Sequence, residues 1–181
     1  MLRRVGDRIQ LSAALSNLGY SAMMAGDFAT AAPLLDAAAA VDEEVQDARL
    51  LPFHLVNRGL LHAFEGEDRQ AASDLARALV LCRESGQALP VSEGLTGLAA
   101  VTVRRGDSKL AARLSGAADA HRLFEAVSVP ERQLQEHVIA SARASGAETY
   151  WQKEWTAGNS LTFDQALSLG LDAAAVVSRT A

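Results

Sequence analysis

Leu11, Leu15, Leu18, Ala22 and Ala25 follow one another by four, three, four and three residues, a spacing that lays them along one stripe of an α-helix. The stripe ends at Gly26-Asp27, and the same glycine-acid pair returns at Gly66-Glu67 and Gly106-Asp107, each 40 residues after the last. At that offset Leu15, Leu55 and Leu95 align, as do Ala31-Ala32, Ala71-Ala72 and Ala111-Ala112, then Ala38, Ala78 and Ala118. Each unit therefore predicts two helices joined by a tight turn. Glycine suits a helix end that needs a left-handed residue, and the acid suits the next helix N-terminus with its positive dipole end. The paired alanines fall where the second helix crosses the first, so a bulky residue at Ala31 or Ala71 is expected to be costly. Helices are predicted at 8–25, 29–45, 51–65, 69–85, 90–105 and 109–125, with Pro52 and Pro90 near helix starts and Pro33 as a slight bend.

The register divides the chain into units 6–45, 46–85 and 86–125, with joints at Gly6-Asp7, Gln46-Asp47 and Gly86-Gln87. Residues 1–5 then read as the end of a preceding helix, and Asp7 with Gln10 as a capping box. On this reading the apolar surface around Leu2, Val5 and Ile9 lacks its natural neighbour, which predicts self-association through an uncapped N-terminal face. After residue 125 the motif stops. Residues 126–181 read as a helical cap: a helix from Pro130 to a stop at Gly146, a helix carrying Tyr150, Trp151 and Trp155 that breaks at Gly158-Asn159, and a last helix opened by a capping box at Thr162 and Gln165. The two tryptophans read as sealing the stack.

Composition narrows the function. The 181 residues carry 17 basic and 22 acidic side chains, a formal charge of −5, which gives no net attraction to nucleic acid or an anionic membrane. No apolar run is long enough to span a bilayer, the start lacks the apolar segment of a secretory signal, and the single cysteine excludes an internal disulfide framework. A cytoplasmic location is the expectation. His54, His62, His121 and His137 show no HExxH spacing, Cys82 lies among Leu79, Val80 and Leu81 as a buried thiol would, and no phosphate loop or nucleophile elbow appears. No catalytic residue, metal site or cofactor is expected. The run Asp42-Glu43-Glu44 reads as a solvated face.

The units resemble tetratricopeptide repeats, on Leu15, Leu18-Gly19, Ala22, Gly26-Asp27-Phe28, Ala31, Leu35 and Ala38 in the first copy. The second keeps Leu55, Gly59, Gly66, Ala71, Leu75 and Ala78 but has Arg58 and His62 where apolar residues are usual. The third has Ala99, Thr102 and Ser115 at pattern positions. Residues 95–171 are similar to the C-terminal end of bacterial regulators that join a signal-transduction ATPase to such repeats, often with a LuxR-type DNA-binding module. The resemblance implies an all-α superhelix of about three helical hairpins with a C-terminal helical cap. It implies a scaffold or sensor role and a protein or peptide partner, with no ATPase or direct nucleic acid contact carried over. A small-molecule effector sensor and a structural dimerisation element remain as alternatives.

In such stacks the first helix of each pair lines the concave face, which makes Ser16, Asn17, Tyr20, Met23, Met24, Phe53, Asn57, Leu60, Phe64, Thr96, Val103 and Arg104 the candidate ligand contacts. Asn17 and Asn57 stand at equivalent positions, where related peptide-binding repeats use an amide that donates to and accepts from a peptide backbone; the alternative is a bond to a neighbouring helix. Tyr20, Met23, Met24 and Phe64 suit an adaptable lining or simple core packing. Arg104-Arg105 suits either an anion clamp or a solvated helix end.

Overall fold

The computed structural model describes residues 2–45, 49–123, 127–145 and 148–179, and among them every regular element is a helix. Helices α1 (Leu2–Met24) and α2 (Phe28–Val45) pack as one hairpin, α3 (Leu51–Glu65) and α4 (Asp68–Ser85) as a second, and α5 (Val91–Arg104) and α6 (Ser108–Ala120) as a third. The three turns repeat their geometry: Gly26, Gly66 and Gly106 all hold φ between 76° and 81°, in the left-handed region that an L side chain resists. The acids that follow differ in use. Asp27 and Asp107 accept from the backbone N–H of Thr30 and Leu110 and cap the next helix, whereas Glu67 turns back to the His62 ring at 2.8 Å.

Ala31, Ala71, Ala72, Ala111 and Ala112 are fully buried at the crossings. Opposite them, a side chain on Gly19 would strike Leu35, and one on Gly59 would strike Leu75. In the third hairpin the equivalent pair is Ala99 and Ser115. The methyl gained on one helix is matched by bulk lost from the other.

Each hairpin stacks on the one before it through its first helix. His54 on α3 lies 2.5 Å from Asp42 on α2 with both side chains buried, and Asn57 donates to the Ser16 hydroxyl on α1 at 3.2 Å. Arg58 reaches Asp36 on α2 while forking onto Asp74 with two contacts of 2.7 Å. Asp42 is thus a core residue rather than part of a solvated run; only Glu43 and Glu44 are exposed, and they pair with Arg77 and Arg8.

Helix α1 runs unbroken through Gly6 and Asp7, so there is no joint or capping box there and the expected separate helix over residues 1–5 is continuous with α1. The side chains of Leu2 and Val5 lie outside the described residues, as do the Gln46-Asp47 joint and the Gly146 stop. α2 likewise continues through Pro33.

The C-terminal third is built as α7 (Val129–Leu134), a π-helical turn (Gln135–Ile139), α8 (Ala140–Ser145), α9 (Glu148–Asn159) and α10 (Phe163–Arg179). Segment α7 and the π turn lie on α5 and reach α1, crossing the face formed by the first helices. Helix α9 packs along α6. It ends at Asn159, at the expected Gly158-Asn159 break, and crosses α6 closely, Gly158 seated on the Arg113 carbonyl of α6 and Gly116 on the Trp155 carbonyl of α9, each too close for a Cβ. Trp151 is buried, and the Trp155 indole N–H donates to Asp119. Helix α10 opens with the predicted capping box, the Thr162 backbone N–H donating to Gln165 and the Gln165 backbone N–H to the Thr162 hydroxyl. It lies on α4, α5 and α6.

Candidate functional site

The face that the first helices share is occupied in part by α7, and the contacts there are polar. Ser128 caps α7, accepting from the Glu131 backbone N–H. The Glu131 side chain is buried; Ser92 and Thr96 of α5 both donate to its Oε1 at 3.0 Å, and Arg122 lies 2.9 Å from its Oε2. Arg122 also pairs with Asp119. The Ser128 hydroxyl in turn meets the Tyr20 hydroxyl of α1 and the Glu93 carboxyl of α5. Burial, with the Glu131 charge added, raises the Glu93 carboxyl above its ordinary range despite the Ser128 bond and Arg122. Burial likewise raises Tyr20, reinforced by the Glu93 and Glu131 charges.

Beside this network lies a pocket of about 240 Å³, lined by the apolar Phe53, Leu89, Leu123 and Val127 and by the polar Ser92, Glu93, Arg122, Ser128 and Glu131. Tyr20, Phe53 and Thr96 are the sequence-predicted contacts that come to this region. Glu93, Glu131, Arg122 and Ser128 were not anticipated. The signal available was an acid set among the apolar residues of α5 and a second acid directly after Pro130.

The other predicted contacts lie elsewhere. Met23 and Leu60 are fully buried and belong to the core, so neither presents surface to a ligand. Ser16 is buried and taken by Asn57, which places the Asn57 amide at a joint between hairpins rather than on a groove. Phe64 stacks on Phe28 with centroids 5.7 Å apart, Val103 packs against the core, and Arg104 is bonded to Asp68 through its Nε at 2.7 Å. Met24 and Asn17 are exposed.

Asn17 belongs to a second surface. In the 40-residue register Leu11, Ala14, Asn17, Leu18 and Ser21 of α1 correspond to Leu51, His54, Asn57, Arg58 and Leu61 of α3, and to Val91, Gly94, Gly97, Leu98 and Val101 of α5. On α3 and α5 this stripe meets the preceding hairpin: His54 meets Asp42, Asn57 meets Ser16, and Gly97 packs on Leu60 and Leu75. On α1 the same stripe is open, with Leu11 47% and Leu18 59% exposed, against complete burial of Val91 and Leu98.

Two further clusters carry charge. An outer cleft of about 650 Å³ is lined by Asp36, Arg58, His62, Arg69 and Asp74, and its arginine-carboxylate pairs are formed internally. At its edge His62, Glu65 and Glu67 bring one ligand atom each within 4.8 Å, though the His62 ring already faces Glu67 on one side and Asp74 at 3.6 Å on the other. Cys82 is buried, which pushes its thiol up to about 12 and keeps it protonated. No helix among the described residues is long and apolar enough to cross a membrane. No family model, curated protein or solved structure matches the chain.

Proposed function

We propose that this chain is a nonenzymatic, protein-binding helical-repeat module, a scaffold or regulatory part of a bacterial transcriptional or signalling regulator, and that its working surface is the open stripe of α1. One observation carries the reading: the position of Leu11 is buried as Leu51 on α3 and as Val91 on α5 but stands exposed on α1, with Leu18 exposed beside it. The tetratricopeptide-like pattern of the units and the likeness of residues 95–171 to the ends of bacterial regulators support the setting. A peptide running the length of the concave face fits less well, because α7 crosses that face and is fastened to α5 by Glu131.

The occupant of the α1 stripe is a second copy of the chain. Head-to-tail stacking is blocked, since α7 and the π turn cover α5 and α9 covers α6. A two-fold pairing of stripe on stripe stays open, and it is self-complementary: with the axis near Ala14, Leu11 of each copy meets Leu18 of the other across a small residue that permits close approach. Sedimentation equilibrium tests this. The chain should form a dimer that Leu11→Asp with Leu18→Asp returns to monomer, while the melting temperature of the double variant stays near that of a monomeric wild-type sample. A wild-type chain that remains monomeric up to its solubility limit removes this use of the stripe.

A further inference from the structure

Three departures from the 40-residue register converge on one turn. Where the first hairpin carries Ala22, Ala25 and Asp27, and the third Thr102, Arg105 and Asp107, the second carries His62, Glu65 and Glu67. None of the two acids serves its helix. Glu65 ends α3, where the dipole is already negative, and Glu67 gives up the capping bond that Asp27 and Asp107 make at the same place. Instead His62, Glu65 and Glu67 bring one ligand atom each within 4.8 Å of one another. The half-buried His62 ring stands between two carboxylates, with Nδ1 2.8 Å from Glu67 Oε2 and Nε2 3.6 Å from Asp74 Oδ2. A neutral imidazole has one N–H for these two faces, so either tautomer turns a lone pair on a carboxylate oxygen. Asp74 is balanced by Arg58, which forks onto both its oxygens. Neither Glu65 nor Glu67 is paired with a lysine or arginine among the described residues, so the face of the ring that lacks a cation is the Nδ1 face.

We propose that His62 Nδ1 and the Glu65 and Glu67 carboxylates bind a divalent transition-metal ion of the zinc class, with its remaining positions left to water. Donors bound to one such ion at about 2.1 Å stand roughly 3–3.5 Å apart, so the Nδ1 to Oε2 contact opens slightly to admit it and the exposed Glu65 side chain turns inward. Asp74 then faces the Nε2 proton. Held by Arg58, it is the outer carboxylate that fixes the ring and its tautomer, as partners of metal-bound histidines do. The nitrogen donor favours zinc-like ions over magnesium and calcium, which take oxygen ligands. The ion ties the end of α3 to the first residue after the Gly66 turn, and it is independent of the α1 stripe and of the dimer.

Calorimetric titration of the metal-free chain with zinc chloride, together with thermal melts, tests the site. One zinc ion should bind per chain and raise the melting temperature, and a tenfold excess of magnesium or calcium should not displace it. The Glu65 side chain is exposed and unbonded among the described residues, so Glu65→Gln leaves the fold alone and should weaken zinc at least tenfold. His62→Gln should abolish the zinc-dependent rise in melting temperature. Zinc affinity unchanged in a folded Glu65→Gln or His62→Gln variant would assign the ion to the other histidines and overturn the proposal. Magnesium or calcium competing on equal terms, or no zinc bound at millimolar concentration, would overturn it as well.

Discussion

A single carboxyl group links the face where α7 meets α5 to the stability of the chain. In the unfolded chain Glu93 loses its proton near the ordinary value of 4.5, whereas in the folded chain burial and the neighbouring Glu131 charge hold the proton to higher pH. Between these two points the unfolded state binds fewer protons than the folded state, so stability falls as pH rises through the window, and the deficit persists at neutral pH. The groups that face Glu93 are Tyr20 from α1, Ser128 and Glu131 from the α7 segment, and Arg122. Glu93→Gln removes the titration while keeping the shape. Its melting temperature should exceed that of the wild type at pH 7, and the two should converge below about pH 4, where both side chains are neutral. Thermal melts across that range check the sign; a variant less stable than wild type at pH 7 would show that the Glu93 charge is favourably paired in the unliganded fold. Sequence reasoning placed Tyr20, Phe53 and Thr96 on this face but missed Glu93, because one acid in a helix pattern carries no information on which neighbour will desolvate it.

At the scale of helices, the three hairpins were readable because each needs the same two devices, a left-handed glycine at the turn and small residues at the crossing. The register holds further than the motif does. At the 40-residue offset α9 falls where the second helix of a further hairpin would, Trp151 aligning with Ala31, Ala71 and Ala111, so the register outlasts the glycine-acid signature. Its packing nonetheless changes. Trp151 stands where Ala31, Ala71 and Ala111 permit the two helices of a hairpin to touch, and an indole there prevents the same close approach. α9 finds its close crossing on α6 instead, through Gly116 and Gly158, so that Gly158 stands next to the expected helix end at Asn159 and also makes a contact, a second meaning that a glycine in a helix pattern does not disclose. Alanine substitution separates the two meanings. Placing alanine for glycine inside a helix ordinarily gains up to about 1 kcal/mol. At Gly94 the added methyl would meet Leu79 at an ordinary 3.4 Å, so Gly94→Ala should be neutral or stabilising. At Gly116 it would drive into the Trp155 carbonyl, backbone that has no rotamer to yield, and Gly116→Ala should cost about 3 kcal/mol, at the upper end of overpacking effects. Chemical denaturation of the two variants side by side makes the comparison.

Over the whole molecule, the second helices α2, α4 and α6 form an outer layer with a gap on either side of α4, and the two gaps are treated in opposite ways. The floor of the gap beyond α4 includes Leu98 of α5, and α10 lies over it, with Gly170 seated against Leu79, Leu95 and Leu98 and with Leu167, Ala173, Ala174 and Val177 buried. The gap before α4 is lined by Arg58, the register equivalent of Leu98, and by His62, and there Asp36 and Asp74 supply the partners that a covering helix cannot. Arg58 and His62 were visible from the outset as departures from the repeat. Their meaning was not, since the register orders hairpins along a stack and says nothing of what lies over the spaces between them. Because each hairpin touches mainly its neighbours, loosening α10 should be felt where it sits and fade along the array. Leu167→Ala removes a fully buried side chain and should destabilise by roughly 2–5 kcal/mol. Native-state hydrogen exchange should then show faster opening in α10, α4, α5 and α6, with α1 and α2 close to their wild-type rates. Equal acceleration in α1 and α2 would mean that the chain unfolds as one cooperative block, with α10 acting as a latch on the whole rather than a cover for a single gap.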